Sequence, residues 1–187
     1  MRIVGGLWRG RTMKAPAGSD TRPTTDRVRE AMFSTVFSLA GDLCDTGVLD
    51  LYAGSGALGI EALSRGAAHV TFVERNRRAA TVIESNLSSL GAASHRWCLV
   101  RSDVSRLLTV GDVGPVSLLF ADPPYTIDAA VEWQVLEGVA RAGMLEVDCL
   151  VVYEHRADHG GTPPECFAVR ARKRYGDTGV TYATYEG

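Results

Sequence analysis

The sequence predicts an α/β domain built on an open sheet, with its ligand site at the carboxyl ends of the strands. Three observations predict it. Apolar runs of strand length alternate with stretches of helical period. One run, Val116-Ser117-Leu118-Leu119-Phe120-Ala121, stops abruptly at Asp122-Pro123-Pro124-Tyr125. Another, Val48-Leu49-Asp50-Leu51-Tyr52-Ala53, enters Gly54-Ser55-Gly56-Ala57-Leu58-Gly59 and then a helical pattern. Open α/β sheets bind ligands outside the carboxyl ends of their strands, so both junctions are candidate site positions.

The elements follow in order. Arg2-Ile3-Val4, the turn signal Gly5-Gly6 and Leu7 to Arg11 predict a basic N-terminal β-hairpin, an arm over residues 1–20 ahead of the main domain at 21–187. Thr24 or Thr25 is a natural N-cap, and Asp26 suits the first turn of the helix that follows. Val28, Met32, Phe33 and Val36 form its apolar stripe. The first strand and glycine loop come next, then a helix through Ile60 and Leu63. Val70 to Glu74 is strand two, followed by a helix from Arg75 to Leu90 with Ala79, Val82, Ile83 and Leu87 on one face. Cys98 to Asp103 is strand three, and Val116 to Ala121 is strand four. Ala129 to Ala142 is amphipathic, and Cys149 to Glu154 is strand five. Phe167 to Tyr175 alternates apolar with basic residues, as an outer strand does. Gly176-Asp177 turns it into a last strand, Thr178 to Tyr185.

Composition sets bounds. The 187 residues suffice for one core, and 45% apolar with 22% charged residues is ordinary for a globular chain. No run is apolar for long enough to span a membrane, and the N-terminus lacks the apolar stretch of a signal peptide, so the cytoplasm is the expected location. Cys44, Cys98, Cys149 and Cys166 are scattered without a C-x-x-C pair. Buried reduced thiols are expected for Cys98 and Cys149, and no metal site is expected. The net charge of −2 hides a polarity: seven basic and three acidic residues in 1–30, eight and fifteen in 31–154, five and four in 155–187. A basic rim around an acidic middle suits phosphate contacts around a site for a cationic ligand.

The chemistry concentrates at two motifs. Two successive prolines remove two N–H donors and hold the backbone extended, leaving a lip of carbonyl acceptors beside the Asp122 carboxylate and the Tyr125 ring. That set suits a planar base with an exocyclic amine. Asp122 and the Pro123 carbonyl accept its two N–H bonds and Tyr125 stacks on it. The glycine loop also matches G-x-G-x-x-G with Glu74 about 20 residues on, which keeps a nicotinamide dinucleotide site open. Asp50, just before the loop, favours a cationic cofactor over a pyrophosphate. Trp8 stacks on an unpaired base or packs the hairpin onto the body; both remain open. Arg9, Arg11, Arg22, Arg27, Arg29, Lys173 and Arg174 are candidate phosphate contacts.

Asp122-Pro123-Pro124-Tyr125 resembles the D-P-P-Y motif of S-adenosylmethionine-dependent methyltransferases that act on base amines. The ordered set from Gly5 to Arg11, Arg22 to Glu30, Asp50 to Gly56, Asp122 to Tyr125 and Lys173 to Thr178 resembles the RsmD family. That resemblance implies a class I methyltransferase fold, a seven-stranded, mostly parallel sheet with an antiparallel last strand and helices on both faces. It implies methyl transfer to N2 of a guanine in bacterial 16S ribosomal RNA, at position 966, within an assembling or assembled small subunit whose ribosomal proteins form part of the recognised surface. It also implies S-adenosylmethionine on Asp50, Tyr52, Ala53, Gly54, Ser55 and Gly56, with the ribose on Glu74 beside Arg75 and the adenine between Asp103 and Val104. A methyltransferase on another amine such as adenine N6, a nicotinamide-dependent oxidoreductase and a non-catalytic RNA-binding assembly factor are the alternatives.

Overall fold

The structure, a computed structural model, describes residues 1–15, 25–110 and 113–187. Among the described residues, helices and strands alternate as far as β5, and two further strands follow: α1 (Asp26–Ala40), β1 (Gly47–Leu51), α2 (Ala57–Ser64), β2 (His69–Val73), α3 (Arg77–Leu90), β3 (Trp97–Val100), α4 (Val104–Val110), β4 (Val116–Ala121), α5 (Ala129–Arg141), β5 (Leu145–Arg156), β6 (Phe167–Tyr175) and β7 (Thr178–Tyr185). They form one sheet in the order β3-β2-β1-β4-β5-β7-β6. β1 to β5 pair in parallel, and β7 runs antiparallel to both β5 and β6. The chain leaves β1 toward β2 on one side and returns to β4 on the other, so the strand order reverses between β1 and β4. Crevices at such reversals hold ligands.

The central strands read as unbroken apolar runs because both faces are covered. In β4, Leu118 and Phe120 enter a core shared with Met32, Phe33 and Val36 of α1 and with residues of α2 and α3. Leu119 and Ala121 enter a second core with Trp133, Leu136 and Val139 of α5. β3 is an edge strand, and this corrects the expectation for Cys98: its thiol is exposed, while Cys149 in β5 is buried. Thr25 caps α1, its hydroxyl accepting the Val28 N–H at 3.3 Å.

The N-terminal segment differs from the hairpin expected. Residues 1–3 and 11–13 pair antiparallel through the Arg2–Thr12 bridge, but residues 5–10 form turns rather than a returning strand. The reason is close packing on α2. A Cβ on Gly6 would overlap the Ser64 carbonyl, and one on Gly5 would overlap the Arg65 guanidinium. Ile3, Trp8 and Met13 enter the first core. Trp8 is 6% exposed and its backbone N–H donates to the Ser64 hydroxyl at 2.9 Å. Its indole is therefore packing and presents no face to a base.

Arg29 corrects another expectation. Its side chain is fully buried, donates to the Arg2 carbonyl and to Asp26 (2.8 Å), and forms a 3.5 Å ion pair with Glu61, also fully buried. Glu61 accepts the Val4 N–H at 2.9 Å and pairs with Arg65 at 2.8 Å. This network clamps the N-terminal segment between α1 and α2. Arg11, though exposed, also has structural partners, donating to the Ser89 and Leu90 carbonyls at the end of α3. Those orphan carbonyls need donors, and Arg11 supplies them.

Candidate active site

The carboxyl ends of β1, β2, β4 and β5 open into one cleft of about 1420 Å³. Asp50, Glu74, Asp122 and Glu154 stand at these strand ends, and Asp103 follows β3. The cleft is acidic at its floor and bordered by Arg156 and Arg174 at its mouth.

The glycine loop forms the first wall. Tyr52 and Gly54 both have positive φ (59° and 56°), and Gly56 (78°) leads into α2. Gly59 is required by contact: a Cβ there would overlap the Phe72 ring and lie 2.9 Å from Asp50 Oδ2. The third glycine thus lets α2 lie close on the sheet. Asp50, 2% exposed, accepts the Gly59 N–H at 2.9 Å and so holds the start of α2 from beneath the loop. Burial pushes its carboxyl up to about 7, the Gly59 bond opposes this, and Glu74 adds to it. Glu74 accepts the Gly54 N–H (2.8 Å) with one oxygen and the Asn76 N–H (2.7 Å) with the other, tying the loop to the start of α3. Ala53 and Ser55 line the cleft with Gly54. Gly56 does not: its α-carbon faces Ile60 and Ile83.

Asp103 caps α4 and borders the cleft with Val104. Its carboxylate accepts from the Ser105 hydroxyl (2.8 Å) and N–H (3.0 Å), and Arg75 pairs with it at 3.1 Å. Ser105 first, with Arg75 behind, holds it below the usual carboxylate range.

Asp122 and its prolines form the opposite wall. Withdrawal from water raises the Asp122 carboxyl well above its ordinary value; Glu154, then Asp50, add to the shift. Pro123 is buried. The Pro124 carbonyl accepts the Ile127 N–H at 2.9 Å and closes the turn. Tyr125 is 48% exposed, with its hydroxyl 3.2 Å from Thr178 and 3.5 Å from Glu154. A half-exposed ring fixed at its hydroxyl end is a ready stacking surface.

The sequence reading missed two acids here. Glu154 follows the apolar run Cys149 to Tyr153, as Asp122 follows Val116 to Ala121, and that position was the available signal. Glu132 is fully buried in α5, and the Tyr52 hydroxyl donates to it at 2.8 Å. Burial pushes Glu132 up to about 7. Its signal was an acid on the buried stripe of α5 beside Trp133 and Leu136. The bond anchors Tyr52, whose left-handed backbone starts the glycine loop.

The candidate phosphate contacts divide. Arg174 reaches the mouth of the cleft and pairs with Asp158 at 2.7 Å. Arg9, Arg27 and Lys173 are exposed outside the cleft lining. Arg11 and Arg29 have structural partners, and Arg22 lies outside the described residues. Among the described residues, no group of three His, Cys, Asp or Glu is placed to hold a metal ion, and no helix is long and apolar enough to cross a membrane.

A parallel sheet that closes with a reversed β7, with its acids gathered at the switch point, places the protein among the S-adenosylmethionine-dependent methyltransferases. A family model described as Conserved hypothetical protein 95 matches residues 1–184. The chain is 36% identical over 187 residues to ribosomal RNA small subunit methyltransferase D of Escherichia coli K12, covering 100% of this chain and 89% of that protein. It is 31% identical to the protein of the same name from Haemophilus influenzae, covering 100% and 93%. The solved structure of yhhF from Escherichia coli superposes with a TM-score of 0.83 at 31% identity, covering 100% of this chain and 98% of that one. The chain belongs to the RsmD family of ribosomal RNA methyltransferases.

Proposed function

We propose that this protein transfers a methyl group from S-adenosylmethionine to N2 of a guanine in 16S ribosomal RNA, at position 966, within a small subunit or its assembly intermediate. The observation that carries the reading is the placement of Asp122 and Tyr125 at one end of an acidic cleft whose other end is the glycine loop. The lining fits the cofactor. Gly54 has room above its backbone, and the acids at the strand ends suit a cationic ligand. In this reading Glu74 keeps lone pairs for ribose hydroxyls, Asp103 takes the adenine amine beside Val104, and Asp50 supports the loop near the cationic end. When bound, the cofactor supplies an electrophilic methyl on a sulfonium, with a good leaving group.

The chain's own task is then positioning. The N2 lone pair of guanine is delocalised into the ring. Asp122 and the Pro123 carbonyl accept the two amine hydrogens and turn the lone pair out of the ring plane. The Asp122 carboxylate stabilises positive charge as it builds on nitrogen and is placed to take the released proton. Tyr125 holds the extruded base, which stacking favours by about 1–3 kcal/mol.

The test uses the purified protein, S-adenosylmethionine and small subunits from cells lacking the modification, with naked ribosomal RNA in parallel. Mass spectrometry of digested nucleosides is expected to show N2-methylguanosine on subunits and far less on naked RNA. Another methylated base overturns the target, and donor binding without product points to an assembly factor.

The basic surface gives a separate expectation. Replacing Arg9, Arg27 and Lys173 together with Ala lowers the slope of log affinity against log salt by roughly two to three. Replacing Arg141, which pairs with Glu137 on α5, leaves it unchanged. Equal slopes for the two variants would make the three residues ordinary solvated charges.

A further inference from the structure

We propose that Glu154 reads the target base: its carboxylate accepts the ring N1–H of guanine while Asp122 accepts from the N2 amine beside it. The inference rests on the guanine-N2 reading above and adds the residue that selects the base.

The geometry comes from the sheet. β4 and β5 are parallel neighbours with Ala121 opposite Tyr153. The next residues, Asp122 just past β4 and Glu154 near the carboxyl end of β5, therefore lie side by side. Pleating sends them to the same face as Phe120 and Val152. Glu154 is 3% exposed, yet it lines the cleft. Its carboxylate is near enough to raise the Asp122 carboxyl, second only to burial. The Tyr125 hydroxyl, 3.5 Å from Glu154 Oε1, brings the stacking ring to the same pair.

A buried carboxylate, Glu154, beside a half-buried one, Asp122, makes an unusual wall: acceptors side by side, with a third acid, Asp50, near enough to act on Asp122. An ionised carboxylate has about four lone-pair sites, so one that already has a partner can still accept from a base edge. The Watson–Crick edge of guanine offers adjacent donors, N1–H and the N2 amine. The corresponding edges of adenine and cytosine pair an amine with a ring-nitrogen lone pair. Against Glu154 that lone pair meets another acceptor, and both lose solvation without a bond. A site of paired carboxylates thus accepts the guanine edge and rejects the others.

The experiment uses the full chain and small subunits reassembled with 16S RNA carrying either guanosine or 2-aminopurine at the methylated position. 2-Aminopurine keeps the 2-amine but presents a lone pair at N1. Wild-type protein is expected to prefer guanosine in kcat/KM by on the order of 10- to 100-fold. Glu154→Gln, whose amide can donate to that lone pair, is expected to shrink the preference at least about tenfold. Comparing preferences between proteins cancels the different reactivity of the two amines. Glu154→Asp keeps the charge and is expected to lower the rate on guanosine while keeping the preference. Wild-type indifference to the base overturns the proposal without any variant. So does an unchanged preference in a Glu154→Gln protein that melts and binds S-adenosylmethionine normally. Failure of wild-type protein to form N2-methylguanosine on unsubstituted subunits is a different result and removes the guanine-N2 reading itself.

Discussion

Asp122→Asn is expected to lower turnover by on the order of 10²–10³-fold, leave the affinity for S-adenosylmethionine within a few-fold, and raise the melting temperature at pH 8. Asn keeps one acceptor oxygen in place, so the amine still has a partner. What is lost is the negative charge facing the nitrogen as it becomes positive. The stability gain follows from the direction of the carboxyl's shift. Burial, then Glu154 and Asp50, raise the folded-state value above the unfolded one, so the folded state binds the proton more tightly. Stability is then highest at low pH and falls as pH rises from the unfolded value through the raised folded one. The neutral Asn escapes that penalty, so its advantage is present at pH 8 and vanishes near pH 4. The same shift governs activity, because protonated Asp122 has lost the negative charge that faces the nitrogen as it becomes positive. The acid limb of wild-type kcat/KM should lie well above the ordinary carboxylate range. Single-turnover rates and melting curves at both pH values check these points. Near-normal turnover in Asp122→Asn, or an acid limb near pH 4, would remove Asp122 from the chemistry.

Arg29→Ala is expected to cost about 3–5 kcal/mol, a fall in melting temperature of roughly 6–20 °C for a chain of this size. The substitution removes the buried partner of Glu61 and the donor to the Arg2 carbonyl, loosening the clamp that seats Ile3, Trp8 and Met13. Arg65 and the Val4 N–H still hold Glu61, which keeps the loss from being larger. Arg27→Ala, two residues away and exposed, should stay within about 0.5 kcal/mol. Thermal melts of both variants make the comparison. Should Arg29→Ala melt like wild type but bind RNA poorly, Arg29 would return to the phosphate-contacting set.

The strands were legible because of how they are buried. β4, β6 and β7 fall on the residues the pattern indicates, since apolar runs end where the chain leaves the sheet. β5 extends beyond Cys149–Glu154 to Leu145–Arg156, because pairing with β4 and β7 carries it past its apolar centre. The D-P-P-Y lip and the glycine loop were legible as well, since prolines and glycines state their backbone demands locally. The charged residues were harder. Arg29 shares the spacing of Met32, Phe33 and Val36, so its place on the buried stripe could have been read. The basic run around it argued for the surface instead.

The sequence by itself determined the alternation of strands and helices, the two backbone motifs at the site and the acids at the ends of β1, β2 and β4. Periodicity, proline and glycine act over a few residues, so a linear pattern records them. Only the tertiary structure decided which charges are buried and whom they meet. Arg29 and Arg27 have the same side chain, but one faces Glu61 and the other faces water. Tyr52 finds Glu132 on a helix 80 residues away. Glu154 becomes Asp122's neighbour only when β5 pairs with β4. Burial and partnership depend on segments brought together from far along the chain, and that juxtaposition turns a strand-end acid into part of a site.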